Sequence, residues 1–355
     1  MSCVPDDAVD LVVTSPPYPM IEMWDESFAA LSAEAGAALA ADEGAKAFES
    51  MHAELDKVWR GVARTLKTGG FACVNIGDAT RSIGGKFQLF SNHTRVTSAF
   101  LALGFDVLPV VLWRKPTNAP NKFMGSGMLP AGAYVTLEHE YVLIFRKGGK
   151  RNFETVAEKQ KRNESAFFWE ERNTWFSDVW DFLGARQKLE DAASRGRSAA
   201  FPFELAYRLV NMFSLYGDTV LDPFLGTGTT TVAAIASGRS SVGIEIDLAF
   251  STLIKNNVNA CVSMVNRRIH KRIRDHFDFV TGRQLAGKDI KHFNANHQFP
   301  VVTRQEKELL LRRVDTVVAR GEVTESSHSP LDALACRAIE KKTMAEEAEQ
   351  LALAL

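Results

Sequence analysis

Apolar positions recur along this chain in two rhythms. Residues 8–14, Ala-Val-Asp-Leu-Val-Val-Thr, form a short apolar run stopped by Ser15-Pro16-Pro17. Such a run predicts a buried strand, and two prolines cannot continue a sheet ladder, so a rigid loop follows. From Ala45 to Leu66, the residues Phe48, Met51, Leu55, Val58, Val62 and Leu66 return every three or four positions. That spacing predicts a helix, closed by Lys67-Thr68-Gly69-Gly70. Further strands are expected over Phe71–Ile76, Phe105–Trp113, Glu140–Phe145, Thr219–Leu221 and Ser241–Ile246. Helices are expected over Asn92–Leu103, over Pro202–Leu215 and from a glycine turn at 222–228 to Ser237. Strands alternating with helices imply an α/β fold on a doubly wound, mostly parallel sheet.

Elsewhere the rhythm weakens. Thr117 to Ala133 is rich in Gly, Pro and Asn and reads as a long loop. Residues 146–197 mix charges with scattered aromatics, Phe167, Phe168, Trp169, Trp175, Phe176 and Trp180 among them. After Leu248 the chain reads as helical, through a basic stretch at 267–274 to an alanine- and glutamate-rich end. The organisation expected is one domain over 1–260, with 146–198 as a distinct segment inside it, and a mostly helical extension over 261–355.

Composition narrows the classes. The 355 residues are 46% hydrophobic and 24% charged, which excludes wholesale disorder and collagen-like repeats. No apolar stretch approaches the roughly 18–20 residues of a membrane span, and no basic-then-apolar leader opens the chain. A cytoplasmic location without membrane partners is therefore expected. Cys3, Cys73, Cys261 and Cys336 lie far apart and in no metal-ligand spacing, so no metal site is expected. The net charge of −1 means that a polyanion would have to be held by a local basic face.

Val220-Leu221-Asp222-Pro223-Phe224-Leu225-Gly226-Thr227-Gly228-Thr229-Thr230 reads as strand, tight turn and helix start. Glycine turns of this kind let a ligand approach the backbone closely. A phosphate-cradling P-loop would need Gly-Lys-Ser/Thr, and no lysine is present. The dinucleotide fingerprint needs a third glycine where Thr231 stands. A nucleoside without phosphate remains. Asp222, at a strand's carboxyl end, can hold an ammonium group, and Glu245, at the end of the next strand, can accept both ribose hydroxyls. An acidic, lysine-free turn suits a cationic sulfonium nucleoside.

The loop Thr14-Ser15-Pro16-Pro17-Tyr18 suggests the second reactant. Paired prolines aim carbonyl oxygens in a fixed direction, Ser15 adds an acceptor and Tyr18 offers a flat face. Two acceptors can take the N–H groups of an exocyclic amine while the ring stacks on the base. In a duplex that base must first be flipped out.

These two motifs, in this order, make the chain resemble the amino-directed DNA methyltransferases of the beta arrangement, in which the catalytic loop precedes the S-adenosylmethionine loop. The resemblance covers residues 5–250 and takes in Asn75-Ile76-Gly77-Asp78, Trp113-Arg114-Lys115-Pro116, Glu138-His139-Glu140-Tyr141, Asp178-Val179-Trp180-Asp181 and Phe201-Pro202. It implies a seven-stranded sheet with a reversed hairpin near its end, within a catalytic domain over 1–260. Ser15, Pro16, Pro17 and Tyr18 would hold the target amine. Asp222, Pro223, Phe224, Gly226, Gly228, Thr229 and Glu245 would shape the S-adenosyl-L-methionine site, with Phe201 and Pro202 closing over it. The resemblance also places a Gly-Asp segment upstream of position 5 and a histidine where this chain has Arg197, and here the sequence departs from it.

In the family the chain resembles, serine in the first loop position goes with cytosine N4 and aspartate or asparagine with adenine N6. The resemblance therefore implies cytosine N4 as the target, with adenine N6 as the alternative and a silent DNA-binding module as a third reading. Carbon-5 methylation would need a cysteine nucleophile after proline, and no cysteine follows proline here. Double-stranded DNA is the expected partner. Its contacts are expected from Arg114, Lys115, Asn118 and Lys122, and from Lys159, Lys161 and Arg162 in the target-recognition segment 146–198. The basic stretch at 267–274 is a second candidate face. Relatives of this arrangement often pair, so a homodimer and a companion restriction endonuclease stand as further partners.

Overall fold

The computed structural model describes residues 1–115, 124–184, 201–332, 335, 336 and 338. Fifteen strands and ten helices are labelled in chain order. The strands are β1 (Val9–Thr14), β2 (Leu66–Ile76), β3 (Ala79–Ile83), β4 (Lys86–Phe90), β5 (Phe105–Arg114), β6 (Met124–Gly125), β7 (Ala133–Tyr134), β8 (His139–Lys147), β9 (Val179–Asp181), β10 (Thr219–Asp222), β11 (Ser240–Gly243), β12 (His292–Phe293), β13 (Pro300–Val301), β14 (Arg312–Arg320) and β15 (Val323–Pro330). The α-helices are α1 (Asp25–Leu31), α2 (Ala33–Ala40), α3 (Gly44–Thr65), α4 (Asn92–Ala102), α5 (Val156–Glu164), α6 (Trp169–Trp175), α7 (Phe203–Phe213), α8 (Thr229–Ala236), α9 (Phe250–Asn259) and α10 (Cys261–Leu285).

Seven strands form one sheet in the order β11-β10-β1-β2-β8-β5-β9. β10 runs parallel to β11 and β5 parallel to β9, whereas β8 is antiparallel to both β2 and β5. This is the doubly wound, mostly parallel sheet expected, with its reversed hairpin. Every residue of β1 is buried, as befits a strand covered on both faces.

The chain separates into two compact units. The first comprises Met1–Ala8, Val12–Gly149 and Ser177–Pro202, and the second Val9–Leu11, Lys150–Phe176 and Phe203–Leu355. In the first, α3 turns Met51, Leu55, Trp59 and Val62 inward, and Phe100 of α4 stacks on Phe145 of β8 with ring centroids 4.1 Å apart. In the second, Phe168, Ile269, Ile273, Phe277, Phe299, Val301, Leu309 and Leu311 form a buried cluster.

Three local expectations change. The breaker expected at 67–70 is strand, because β2 starts directly at Leu66 and absorbs Gly69 at φ +82°. The loop at 117–133 carries a small hairpin, β6 pairing β7. Among its described residues, the 261–355 extension holds strands as well as the helix α10. Beyond it, β14 and β15 pair antiparallel around the turn after Arg320. The alternating Val314, Thr316 and Val318 suit a strand, and Gly321 at φ +66° suits the turn. No helix of the described residues is long and apolar enough to cross a membrane.

Candidate active site

The first unit builds the Ser-Pro-Pro-Tyr loop immediately after β1. Pro16 is buried and Ser15, Pro17 and Tyr18 are half-buried. The loop's far end is tied down by Asn92, the first residue of α4. Its Nδ2 donates to the Pro19 and Gly77 carbonyls, both at 3.0 Å, while His52 Nε2 bonds its Oδ1 at 3.0 Å. Because a side-chain oxygen can only accept, His52 carries its proton on Nε2. Burial lowers the pKa of His52 to about 4, so it stays neutral at neutral pH.

Tyr18 is the centre of a polar network. Its Oη lies 3.1 Å from Ser15 Oγ, donates to Glu140 Oε2 at 2.9 Å and accepts from Asn75 Nδ2 at 2.8 Å. Asn75 Nδ2 also donates to Glu140 Oε2 at 2.6 Å. Lys115 Nζ donates to Glu140 Oε1 and sits 4.8 Å from the centre of the Trp113 ring. Burial, then the Glu140 charge, raises the Tyr18 phenol well above its ordinary pKa, so it remains protonated. A Cβ on Gly77 would come within 3.1 Å of the Tyr18 ring and 3.2 Å of Glu140 Cγ, so glycine lets the strand end lie flat against both. Asn75 and Glu140 are site residues that the sequence did not single out. Each does stand inside a quoted motif, Asn75-Ile76-Gly77-Asp78 and Glu138-His139-Glu140-Tyr141.

The second unit builds the glycine turn between β10 and α8. Asp222, buried at the end of β10, accepts from the Phe224 backbone at 3.1 Å and from Thr230 Oγ1 at 2.7 Å. Gly226 and Gly228 adopt φ of +53° and +85°, a region costly for residues with a Cβ. Asn257 of α9 donates to the Thr227 carbonyl at 2.9 Å, bracing the turn from outside. Pro223 is buried, and Phe224 and Thr229 are half-buried. Past β11, Glu245 accepts from Gly226 N at 2.7 Å and from Asp247 N at 2.9 Å. The next residue, Ile246, is 81% exposed, an apolar face beside an acid that the motif alone does not reveal. Two carboxylates, an open glycine backbone, no lysine and an apolar shelf make a donor set that fits a sulfonium nucleoside and not a polyphosphate.

The remaining candidates scatter. Phe201 is buried and Pro202 half-buried, directly before α7. Arg114 is exposed, 3.5 Å from Asp181 and 3.9 Å from Glu138. Lys115 is engaged with Glu140. Lys159 and Arg162 are exposed on α5, Arg162 lying 4.7 Å over the Phe153 ring. Lys161 points back to the buried Asp218 at 3.0 Å. Asn118, Lys122 and Arg197 lie outside the described residues. The 267–274 stretch is less available than its sequence suggests. Arg272 is buried on Glu171, Arg268 binds Glu204 and Lys271 binds Asp275.

Comparison with known proteins gives a match that spans both loops. Residues 9–256 match the N6/N4 methyltransferase family model described as DNA methylase. The type II methyltransferase M.MthZI of Methanothermobacter thermautotrophicus is 51% identical over 313 residues, covering 88% of this chain and 87% of its own. M.MjaI of Methanocaldococcus jannaschii is 48% identical over 272 residues, 73% of this chain and 88% of its own. Among solved structures, a Thermus thermophilus protein named as a DNA modification methylase and bound to S-adenosyl-L-methionine superposes with a TM-score of 0.55 at 32% identity, covering 72% of this chain and 87% of that one. With the match spanning both the Ser-Pro-Pro-Tyr loop and the glycine turn, the chain belongs to the N6/N4 DNA methylase family.

Proposed function

We propose that the protein moves a methyl group from S-adenosyl-L-methionine to the exocyclic N4 of a cytosine flipped out of duplex DNA. S-adenosyl-L-methionine, when bound, supplies a methyl group activated on a sulfonium. Glu245 and the backbone of Gly226 and Gly228 would bind it, with Asp222 shaping the turn and Phe201 and Pro202 covering it. Ser15 and the Pro16-Pro17 carbonyls would accept the amine N–H groups, directing the nitrogen lone pair towards the methyl carbon. Tyr18, kept protonated, would present its ring to the base. The amine nitrogen would gain the methyl carbon as the carbon–sulfur bond breaks, the bonding pair staying on sulfur as a neutral thioether, and the nitrogen would then give one proton to water. Aligning both reactants removes much of the entropic barrier.

The observation that carries the choice of base is Ser15, a small neutral hydroxyl held 3.1 Å from Tyr18, at the loop position where an acidic or amide side chain would favour adenine. Arg114, Lys159 and Arg162 would meet phosphates, together with Asn118 and Lys122. The type II designation of the relatives supports a partnership with a restriction endonuclease. Mass spectrometry of nucleosides from DNA treated with trideuteromethyl cofactor tests the choice. N4-methylcytosine carrying the label is expected, and labelled N6-methyladenine would reassign the base.

A further inference from the structure

The Tyr18 network has a direction, and that direction bears on how Ser15 meets its substrate. Counting protons fixes it. Lys115 has only donors and takes Glu140 Oε1. Glu140 is a carboxylate acceptor, so the single Tyr18 O–H proton points to its Oε2 at 2.9 Å. One Tyr18 lone pair takes Asn75 Nδ2 at 2.8 Å. The Tyr18–Ser15 contact at 3.1 Å must then run from Ser15 to Tyr18, because Tyr18 has no second proton to give. Ser15 spends its own proton there and keeps two lone pairs that meet no donor among the described residues. Asn75 cannot turn its amide round without setting its Oδ1 against the carboxylate, so it reinforces the same order.

We propose that Glu140, held by Lys115, is a positioning residue that orders the chain Ser15→Tyr18→Glu140, so that Ser15 meets the target amine as an acceptor. This rests on the methyl-transfer reading and deepens it, and it applies to either exocyclic amine. An amine N–H facing a serine that also offered a proton would lose the bond that turns its lone pair to the methyl carbon. The order of the chain thus makes a neutral hydroxyl behave as a committed acceptor.

Glu140→Gln, made together with Asn75→Leu so that no second amide can turn to accept from Tyr18, tests this sharply. Lys115 can accept nothing, so the amide introduced by Glu140→Gln would turn its oxygen to Lys115 and its NH2 to Tyr18. Tyr18 would then donate to Ser15, and the Ser15 proton would face the substrate, whereas Asn75→Leu alone leaves the order Ser15→Tyr18→Glu140 in place. The expected result is a fall in kcat of ~100-fold, the scale of one misdirected preorganised dipole, with cofactor affinity and the KM for DNA unchanged. Lys115→Met in that background frees the amide to turn and should recover about a tenth or more of the parental kcat. Tyr18→Phe keeps the ring, removes the relay hydroxyl and should lower kcat on the same scale. Added to the pair Glu140→Gln and Asn75→Leu it should lower kcat no further, since both break one chain. Parental kcat in Tyr18→Phe, or in Glu140→Gln combined with Asn75→Leu, would overturn the proposal, as would losses that multiply when Tyr18→Phe is added to that pair. Tyr18→Phe leaves Glu140 in place and so decides the question should the pair fold poorly. Failure of the methyl-transfer reading itself would show first in the parent, as no label reaching DNA.

Discussion

Gly226 donates its backbone N–H to Glu245 Oε2 at 2.7 Å, so the glycine turn after β10 is latched to the acid after β11. The same carboxylate takes the Asp247 N–H at 2.9 Å through its other oxygen. Glu245 therefore does two things at once. It shapes the glycine turn, and it keeps lone pairs that, in the proposed reading, the hydroxyls of the cofactor would meet.

Glu245→Gln should weaken cofactor binding. A charge-assisted acceptor contributes about 1.5–3 kcal/mol, which corresponds to a Kd raised roughly 10- to 150-fold. Isothermal titration with S-adenosyl-L-methionine checks it, and an unchanged Kd would remove Glu245 from the site.

Gly243 faces the same turn. A Cβ there would lie 2.5 Å from Leu225 Cδ2, closer than carbon atoms approach. Gly243→Ala should lower stability by about 1–3 kcal/mol, the usual cost of forcing one methyl group into filled space. Pairing it with Leu225→Ala should recover part of the loss in thermal unfolding.

Much of this architecture was legible, and the misses have physical causes. Strands such as β1 and helices such as α3 announce themselves by continuous or 3.6-residue apolar patterns. The helix α2, Ala33 to Ala40, is nearly all small residues and shows no stripe to read. The hairpin β3–β4 did carry a signal, since Gly84 and Gly85 both sit at positive φ in a two-residue turn between alternating strands. Ser15, Tyr18 and Glu245 could be named because their chemistry is local to a motif. Glu140 and Lys115 could not be paired with Tyr18 from sequence, because their contact depends on β8 lying between β2 and β5. Lys115, expected from the sequence to meet DNA, lies against the Glu140 carboxylate, a contact that no local pattern signals.

Charge in α10 was hidden for the same reason. Arg272 and Glu171 form a bidentate buried pair, at 2.6 and 2.8 Å. Glu171→Ala would strand the guanidinium beside Trp175 and Phe168 and should cost about 3–5 kcal/mol. The double change Glu171→Leu with Arg272→Met should be far milder. Thermal unfolding of both variants decides whether this stretch serves the core or an outer face.

His52 predicts a pH dependence. Its folded pKa of about 4 lies below the unfolded value near 6.5. Between those values the unfolded chain takes up a proton that the folded chain refuses, so this contribution is present above pH 6.5 and is lost as pH falls towards 4. The loss at pH 4 amounts to roughly 3 kcal/mol. His52→Gln should flatten the stability profile over that window, as read by denaturant midpoints at stepped pH.

The most direct measurement is single-turnover transfer of tritiated methyl to duplex DNA by Ser15→Ala, run beside its affinity for S-adenosyl-L-methionine. A chemical role for the Ser-Pro-Pro-Tyr loop requires transfer to fall by two orders of magnitude or more, on the scale of about 10²–10³ for a preorganised polar group, while affinity stays parental. Parental transfer by that variant would contradict the role assigned to the loop.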